Sequence, residues 1–278
     1  MFQILKMQNM KRILFVALCA VISVVAHAQI TIKGHVVNER HEGVEYVTIG
    51  FEGDSIGTIS DKDGHFTLTL PAKRNDQLVL THVSYMPQKL SLDAFSAGKE
   101  VEVVLKDKIV ALNEVVIGKH NKAISISKKA ISGPSASLRG KGKMLGLEWG
   151  PVFKTKKDCT VSDLILKIKG STYGWCVLSF NIYEMNGTKL RNILNKPIYY
   201  RLSKTTSKQE LIVQPEETIL LKAKKKYYVS IAVVDSDVYG MLDMQSQMKT
   251  CYARRLTTGK LRKLPIGPAI IVKGNIVE

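Results

Sequence analysis

The sequence is short of the groups that carry out chemistry. It has six histidines, and none lies beyond His120. The chain from residue 121 onward therefore has no imidazole to act as a base, a proton shuttle or a metal ligand. No histidine pair has the i, i+4 spacing with an intervening Glu that a zinc-protease helix requires, and neither a Gly-x-Ser-x-Gly elbow nor a Walker loop occurs. After Val25 no uncharged apolar run approaches the roughly 20 residues needed for a membrane-spanning helix. Cysteine is scarce, with four in all.

What is present begins with an address. Lys6, Lys11 and Arg12 precede an uncharged apolar run from Ile13 to Val25, and Ala26-His27-Ala28 places small residues where a signal peptidase cuts. The pattern predicts a signal peptide over residues 1–28 and export to the periplasm, outer membrane or cell surface. Cys19 lies in the apolar run, but Leu18 before it is too large for a lipobox, so soluble export is preferred over lipidation. Cys159, Cys176 and Cys251 then remain, an odd number. Cys159 and Cys176 either bridge neighbouring strands or stay as buried thiols that pack as small apolar groups.

Charge divides the exported chain. Residues 29–118 hold 9 Lys and Arg against 13 Asp and Glu, and residues 119–278 hold 29 against 11, giving net charges of −4 and +18. Such asymmetry predicts two domains with different partners. Residues 119–143 contain seven basic residues and no acidic one among scattered Ser and Gly, which reads as a basic linker. A nucleic-acid arm has the same composition, but nucleic acid is not expected as the specific partner of an exported protein.

Both flanks of that linker read as strands. "ITIKGHVV", "VEYVTIGF", "GHFTLTL", "QLVLTHVSY", "KLSL", "VEVVL" and "LNEVVIG" alternate apolar and polar residues and are separated by Gly, Pro, Asn or Asp. About seven short strands predict a small β-sandwich over residues 29–118. In "TISDKDGHF", Asp61 is placed to accept from its following backbone, Gly64 to take a left-handed conformation and Phe66 to enter the core. The loop lacks the Gly and Glu positions of a calcium-binding EF-hand. Residues 144–278 resume with "LGLEWGPVF", "VSDLILKIKG", "WCVLSFNIYEM", "KPIYYRLS", "QELIVQP", "TILLKA", "YYVSIAVV" and "AIIVKGNI" as further strands. Residues 235–258 stay open between a long loop and a strand pair.

With Thr58, Asp61, Gly64 and Phe66 in that turn and "LVLTHVSYMPQKLSL" after it, residues 30–118 resemble the carboxypeptidase-regulatory-like, transthyretin-like sandwich of Bacteroidota envelope proteins. Ser84 stands where that pattern has Gly. In carboxypeptidases this sandwich is an accessory without zinc ligands. Residues 144–278 resemble, more loosely, a jelly-roll domain that follows it in some of those proteins, through Glu148, Phe153, Phe180, Ile182, Tyr183, Leu194, Pro197 and Tyr228. The resemblances imply an all-β chain: a seven-stranded transthyretin-like sandwich followed by a jelly-roll-like sandwich.

Function is expected to be recognition or scaffolding without catalysis, cofactor or metal. His35, His65 and His82 each read as a lone histidine within or beside a strand. The basic second half makes a strong positive field, and Trp149, Trp175 and Tyr173 offer rings of the kind that stack on sugars. Together with Lys224, Lys225, Lys226, Arg254 and Arg255 they are the candidate ligand-binding residues, for an acidic polysaccharide or an anionic membrane surface. The second candidate is the segment from Leu112 to Gly118. It is similar to the "LxEVVVxG" segment that follows a like sandwich in TonB-dependent glycan importers. Leu112, Glu114, Val115 and Val116 either complete the sandwich as its last strand or dock on an envelope protein by β-augmentation.

Overall fold

The computed structural model describes residues 29–72, 74–95, 99–108, 123–125, 134–141, 145–205 and 207–277. These residues are all-β apart from one 3₁₀ turn at Leu92–Phe95. None of their helices is long and apolar enough to cross a membrane. The expected signal peptide and Leu112–Gly118 lie outside the described residues.

Among the described residues seven strands build the first sandwich: β1 (Ile30–Val37), β2 (Thr48–Gly50), β3 (Gly57–Ile59), β4 (His65–Leu70), β5 (Leu78–Thr81), β6 (Gln88–Leu90) and β7 (Glu100–Val104). They form two layers, β4-β1-β7 and β3-β2-β5-β6. Alternation sets the faces: Ile32 and Val36 of β1 and Phe66, Leu68 and Leu70 of β4 point into the core, while Lys33, His65 and Thr67 face out. Gly34 is required because Phe66 crosses over it; a Cβ there would lie 2.4 Å from the ring. The turn before β4 forms as its residues predict. Asp61 Oδ1 accepts from the backbone N–H of Asp63 at 3.0 Å and of His65 at 2.9 Å, and Gly64 has φ of 88°. Among the described residues six of the expected strands are present and β3, hidden between turn residues, is added; the expected last strand, Leu112–Gly118, lies outside them.

The second group comprises β8 (Ala123–Ser125), β9 (Ser135–Gly140), β10 (Leu147–Lys154), β11 (Cys159–Ser171), β12 (Trp175–Asn186), β13 (Lys189–Asn192), β14 (Ile198–Ser203), β15 (Gln209–Val213), β16 (Ile219–Leu221), β17 (Lys226–Ser236), β18 (Gly240–Arg255), β19 (Arg262–Pro268) and β20 (Ile270–Ile276). Two of these correct the linker reading. β8 pairs with β20 and β9 with β18, so the basic segment contributes strands to the sheet it was expected only to precede. The open choice over 235–258 becomes two successive strands that are not partners: β17 ends at Ser236, the 16-residue β18 starts at Gly240, and β10 lies between them in the sheet.

β18 belongs to both layers of this sandwich. Residues 240–245 pair with β9, while residues 251–255 pair with β10 and 246–253 with β19. The layers enclose one core, which includes Leu164, Leu166, Phe180, Ile182, Tyr227, Val229, Ile231 and Val272. Cys159, Cys176 and Cys251 are free and buried, and burial pushes their thiols up to about 11, 12 and 12. No disulfide joins Cys159 to Cys176.

β17 is buried at nearly every position, because both of its faces are covered. Tyr227, Val229, Ile231 and Val233 face the core. On the opposite face Ala232 and Val234, with Val177 of β12, pack against Tyr46 and Ile59 of the first sandwich. The turn after β18 fastens that contact. Leu256 is 1% exposed, holds φ of 60°, and lies against Gly57, Gly146 and Ile59. Gly53 N–H donates to the Thr258 carbonyl at 2.8 Å, and Arg255 Nη1 donates to the Ser55 carbonyl at 2.6 Å.

Candidate functional site

Where the two sandwiches meet, they leave a cleft of about 350 Å³. The first sandwich supplies Tyr46, Thr48, His82, Tyr85 and Lys108 to its walls; the second supplies Glu148, Asn181, Tyr183, Arg191, Tyr199 and Arg254. Of these, Glu148, Asn181, Tyr183 and Arg254 project from the outer face of the β12-β17-β10-β18 layer, which the first sandwich covers only in part.

The wall is organised around Glu148, 3% exposed. Its Oε1 accepts from Tyr183 Oη at 2.6 Å and Asn181 Nδ2 at 3.1 Å, and its Oε2 accepts from Arg254 Nε at 2.5 Å. Arg254 Nη1 also donates to the Thr257 carbonyl at 2.7 Å, and its guanidinium lies 4.8 Å from the centre of the Tyr183 ring. Burial alone would lower the Arg254 pKa, but the Glu148 carboxylate outweighs it and the guanidinium is raised. Burial first, then the Glu148 charge, holds the Tyr183 and Tyr228 hydroxyls well above the ordinary phenol range. Tyr183 and Tyr228 therefore keep their hydroxyl protons and Arg254 its charge near neutral pH.

The opposite wall is held by His82, whose ring Nδ1 lies 3.2 Å from the backbone N–H of Ser84 and whose Nε2 lies 3.3 Å from Tyr199 Oη. An acceptor at Nδ1 makes Nε2 the protonated nitrogen, so His82 donates to the tyrosine. Burial lowers its pKa to about 4. Tyr46 Oη donates to Asp235 Oδ2 at 3.5 Å, and burial followed by that carboxylate pushes the phenol up to about 12. Among the lining residues Glu148 is the one carboxylate, against the cations Lys108, Arg191 and Arg254, so the cleft carries a positive excess.

The residues singled out from sequence do not form one site. Tyr173 is fully buried and donates to the Gly140 carbonyl, so its ring offers no face to a ligand; that expectation is corrected. Trp149 packs on the core of the second sandwich and donates through Nε1 to the Ile266 carbonyl. Trp175 packs at the junction of the sandwiches with Arg201 stacked 3.8 Å from its ring centre. Lys224 occupies a turn with φ of 63°, Lys225 pairs with Glu184 at 3.0 Å, and Lys226 lies 5.9 Å from the Tyr252 ring centre. Arg254 is the buried partner of Glu148, and Arg255 bridges to the first sandwich. Only Arg254 reaches the cleft. The docking residues Leu112, Glu114, Val115 and Val116 lie outside the described residues. Sequence reasoning missed His82, Tyr46 and Tyr85 as wall residues, because the wall exists only once two sandwiches meet.

Comparison with known proteins assigns the first sandwich. Residues 32–117 match the CarboxypepD_reg-like domain. Over the same region the chain is 38% identical, across 89 residues, to the TonB-dependent receptor SusC of Bacteroides thetaiotaomicron. That alignment takes in 32% of this chain and 8% of the receptor. Solved structures align loosely. The cysteine protease and lectin-like domains of Cwp84 from Clostridium difficile superpose at 8% identity and a TM-score of 0.32, over 79% of this chain and 46% of that one. A carbohydrate-binding module of the β-sandwich superfamily gives 10% identity and a TM-score of 0.23, over 78% and 96%. Likenesses this loose carry no functional weight.

Proposed function

We propose that this chain is a non-catalytic recognition protein of the bacterial envelope, exported by cleavage of residues 1–28, and that it binds an acidic glycan in the cleft between a domain at residues 29–118 and a domain at residues 144–278. The observation that carries the reading is the composition of the cleft. Tyrosine rings and amide groups line it, and its single carboxylate is neutralised internally by Arg254 while Lys108 stands at the wall beside Arg191, which is itself paired with Glu184. Rings stack on the apolar faces of sugars, and cations hold uronate or sulfate groups. The net charge of +18 over residues 119–278 draws such a polymer toward the site.

Calorimetric titration of the exported chain with acidic and neutral oligosaccharides, at low and high salt, tests this. Saturable binding of an acidic oligosaccharide that survives high salt and weakens at least tenfold, about 1.4 kcal/mol, in Tyr85→Ala or Lys108→Ala is expected. Binding that vanishes with salt and ignores both substitutions would reduce the charge to a general surface property.

The match to SusC favours one second reading, an accessory role in TonB-dependent transport in which Leu112–Gly118 docks on an envelope partner. Loss of a co-purifying envelope protein on Glu114→Ala and Val116→Ala, with the oligosaccharide titration unchanged, would separate it from the first.

A further inference from the structure

The sheet face that carries Glu148 and Arg254 does not end at the cleft. β10 pairs with β17 in one unbroken register from Trp149 to Lys154, so Glu148, Gly150, Val152 and Lys154 all point the same way. Lys154 therefore stands on the face of Glu148, about 20 Å further along the strand. Between them lies Tyr252, which is opposite Gly150 just as Arg254 is opposite Glu148. The Tyr252 ring meets Tyr228 at 6.3 Å between centres, and Tyr228 stacks on Tyr183 of the cleft wall at 5.7 Å. Lys226 Nζ lies 5.9 Å from the centre of the Tyr252 ring. The first sandwich packs on this face at Ala232 and Val234, further along β17, away from the lysine end.

That end holds charge which the fold leaves unbalanced. Lys154 and Lys226 are directly opposite one another in register, and like charges so placed oppose the pairing of their strands. Lys224, in the turn before β17, donates its backbone N–H to the Thr155 carbonyl at 2.9 Å and holds φ of 63°, a left-handed conformation uncommon for a lysine. Asp158 takes Lys222 at 3.0 Å. Glu184 takes Lys225 at 3.0 Å and also Arg191, so a single carboxylate joins the cleft wall to the lysine turn. Among the described residues no carboxylate pairs with Lys154, Lys224 or Lys226.

We propose that the cleft opens onto a longer track, in which a linear polyanionic glycan leaves the cleft past Tyr252 and continues onto Lys154 and Lys226. The inference rests on the glycan reading above and adds the length of the ligand: a chain of several charged sugars, not a disaccharide. Lysines suit this task, because an ammonium on a flexible stem meets a uronate or sulfate group as a point charge without demanding one geometry. A chain already seated in the cleft presents its next charges to these lysines at high effective concentration, so the second contact adds affinity with length.

The test is calorimetric titration of the exported chain at low salt with galacturonate and heparin oligosaccharides, each as disaccharide and decasaccharide. With at least one of the two chemistries the decasaccharide is expected to bind at least about tenfold tighter than the disaccharide. That gain should disappear in the double variant Lys154→Gln with Lys226→Gln. It should persist in Lys167→Gln with Lys273→Gln, which removes the same charge from β11 and β20. Circular-dichroism melts guard against misfolding, and Lys154→Gln should melt no lower than the native chain because it relieves the opposed pair. Equal affinity for both lengths, or a gain that survives the Lys154 and Lys226 substitutions, would overturn the track and leave the cleft reading standing. Loss of the gain in both double variants would overturn it in favour of overall charge. Binding of neither length in either chemistry would overturn the glycan reading and the track together.

Discussion

Arg254 Nε donates to Glu148 Oε2 across 2.5 Å, inside a sheet face that the first sandwich partly covers. The two residues lie on adjacent strands, opposite in the register of β10 and β18. Glu148 is buried and the Arg254 side chain is only 10% exposed, and Glu148 also takes the hydroxyl of Tyr183 and the amide of Asn181.

Removing one member of this pair strands the other. In Glu148→Ala the guanidinium keeps its burial and loses the charge that offsets it, so a loss of about 3–5 kcal/mol is expected. Urea denaturation followed by tryptophan fluorescence measures it. The double substitution Glu148→Met with Arg254→Met should restore most of the stability, because it removes both desolvated charges together.

Leu256 is the second point of leverage. It is 1% exposed and touches strands and loops of both sandwiches. Truncation in Leu256→Ala should cost about 2–5 kcal/mol. Its signature in differential scanning calorimetry should be a single transition resolving into two, as the sandwiches lose the contact that couples them.

His82 gives stability a pH dependence of known sign. Its folded pKa of about 4 lies below the ordinary 6.5 of the unfolded chain. Between those values the unfolded state binds the extra proton, so stability falls as pH drops through that window. The loss approaches about 3 kcal/mol once pH is below 4. Protonation at Nδ1 also breaks the bond from Ser84 N–H. Chemical denaturation from pH 7 to 4 should show a decline that is shallower in His82→Gln, which keeps an acceptor but cannot titrate.

Much of the fold was legible because alternation along single strands carries it. β1, β4, β10, β12 and β20 all follow from period-two patterns bounded by turn residues. β3 has only three residues, and β9 shows two inward apolar side chains, Ala136 and Leu138, inside a basic Ser- and Gly-rich stretch. Composition outweighed so short a pattern. The cleft was harder to read. Glu148 and Arg254 are separated by more than a hundred residues, and a lone Glu within an apolar strand looks like an outward side chain unless the second face of the sheet is known to be covered. His35 and His65 were read as separate strand residues for the same reason; the register that sets them opposite one another is a property of pairing.

The turn at Leu256–Gly259 imposes an order of assembly. Its partners, Gly50, Gly53 and Gly57, belong to the first third of the chain. A chain delivered N-terminus first can complete the first sandwich early, but the groove that receives Leu256 stays open until the last strands arrive. During that interval the nascent module exposes the apolar seat meant for its own distant segment. Such surface is open to wrong partners while it lasts, and a chain cut short before residue 256 would keep that seat uncovered.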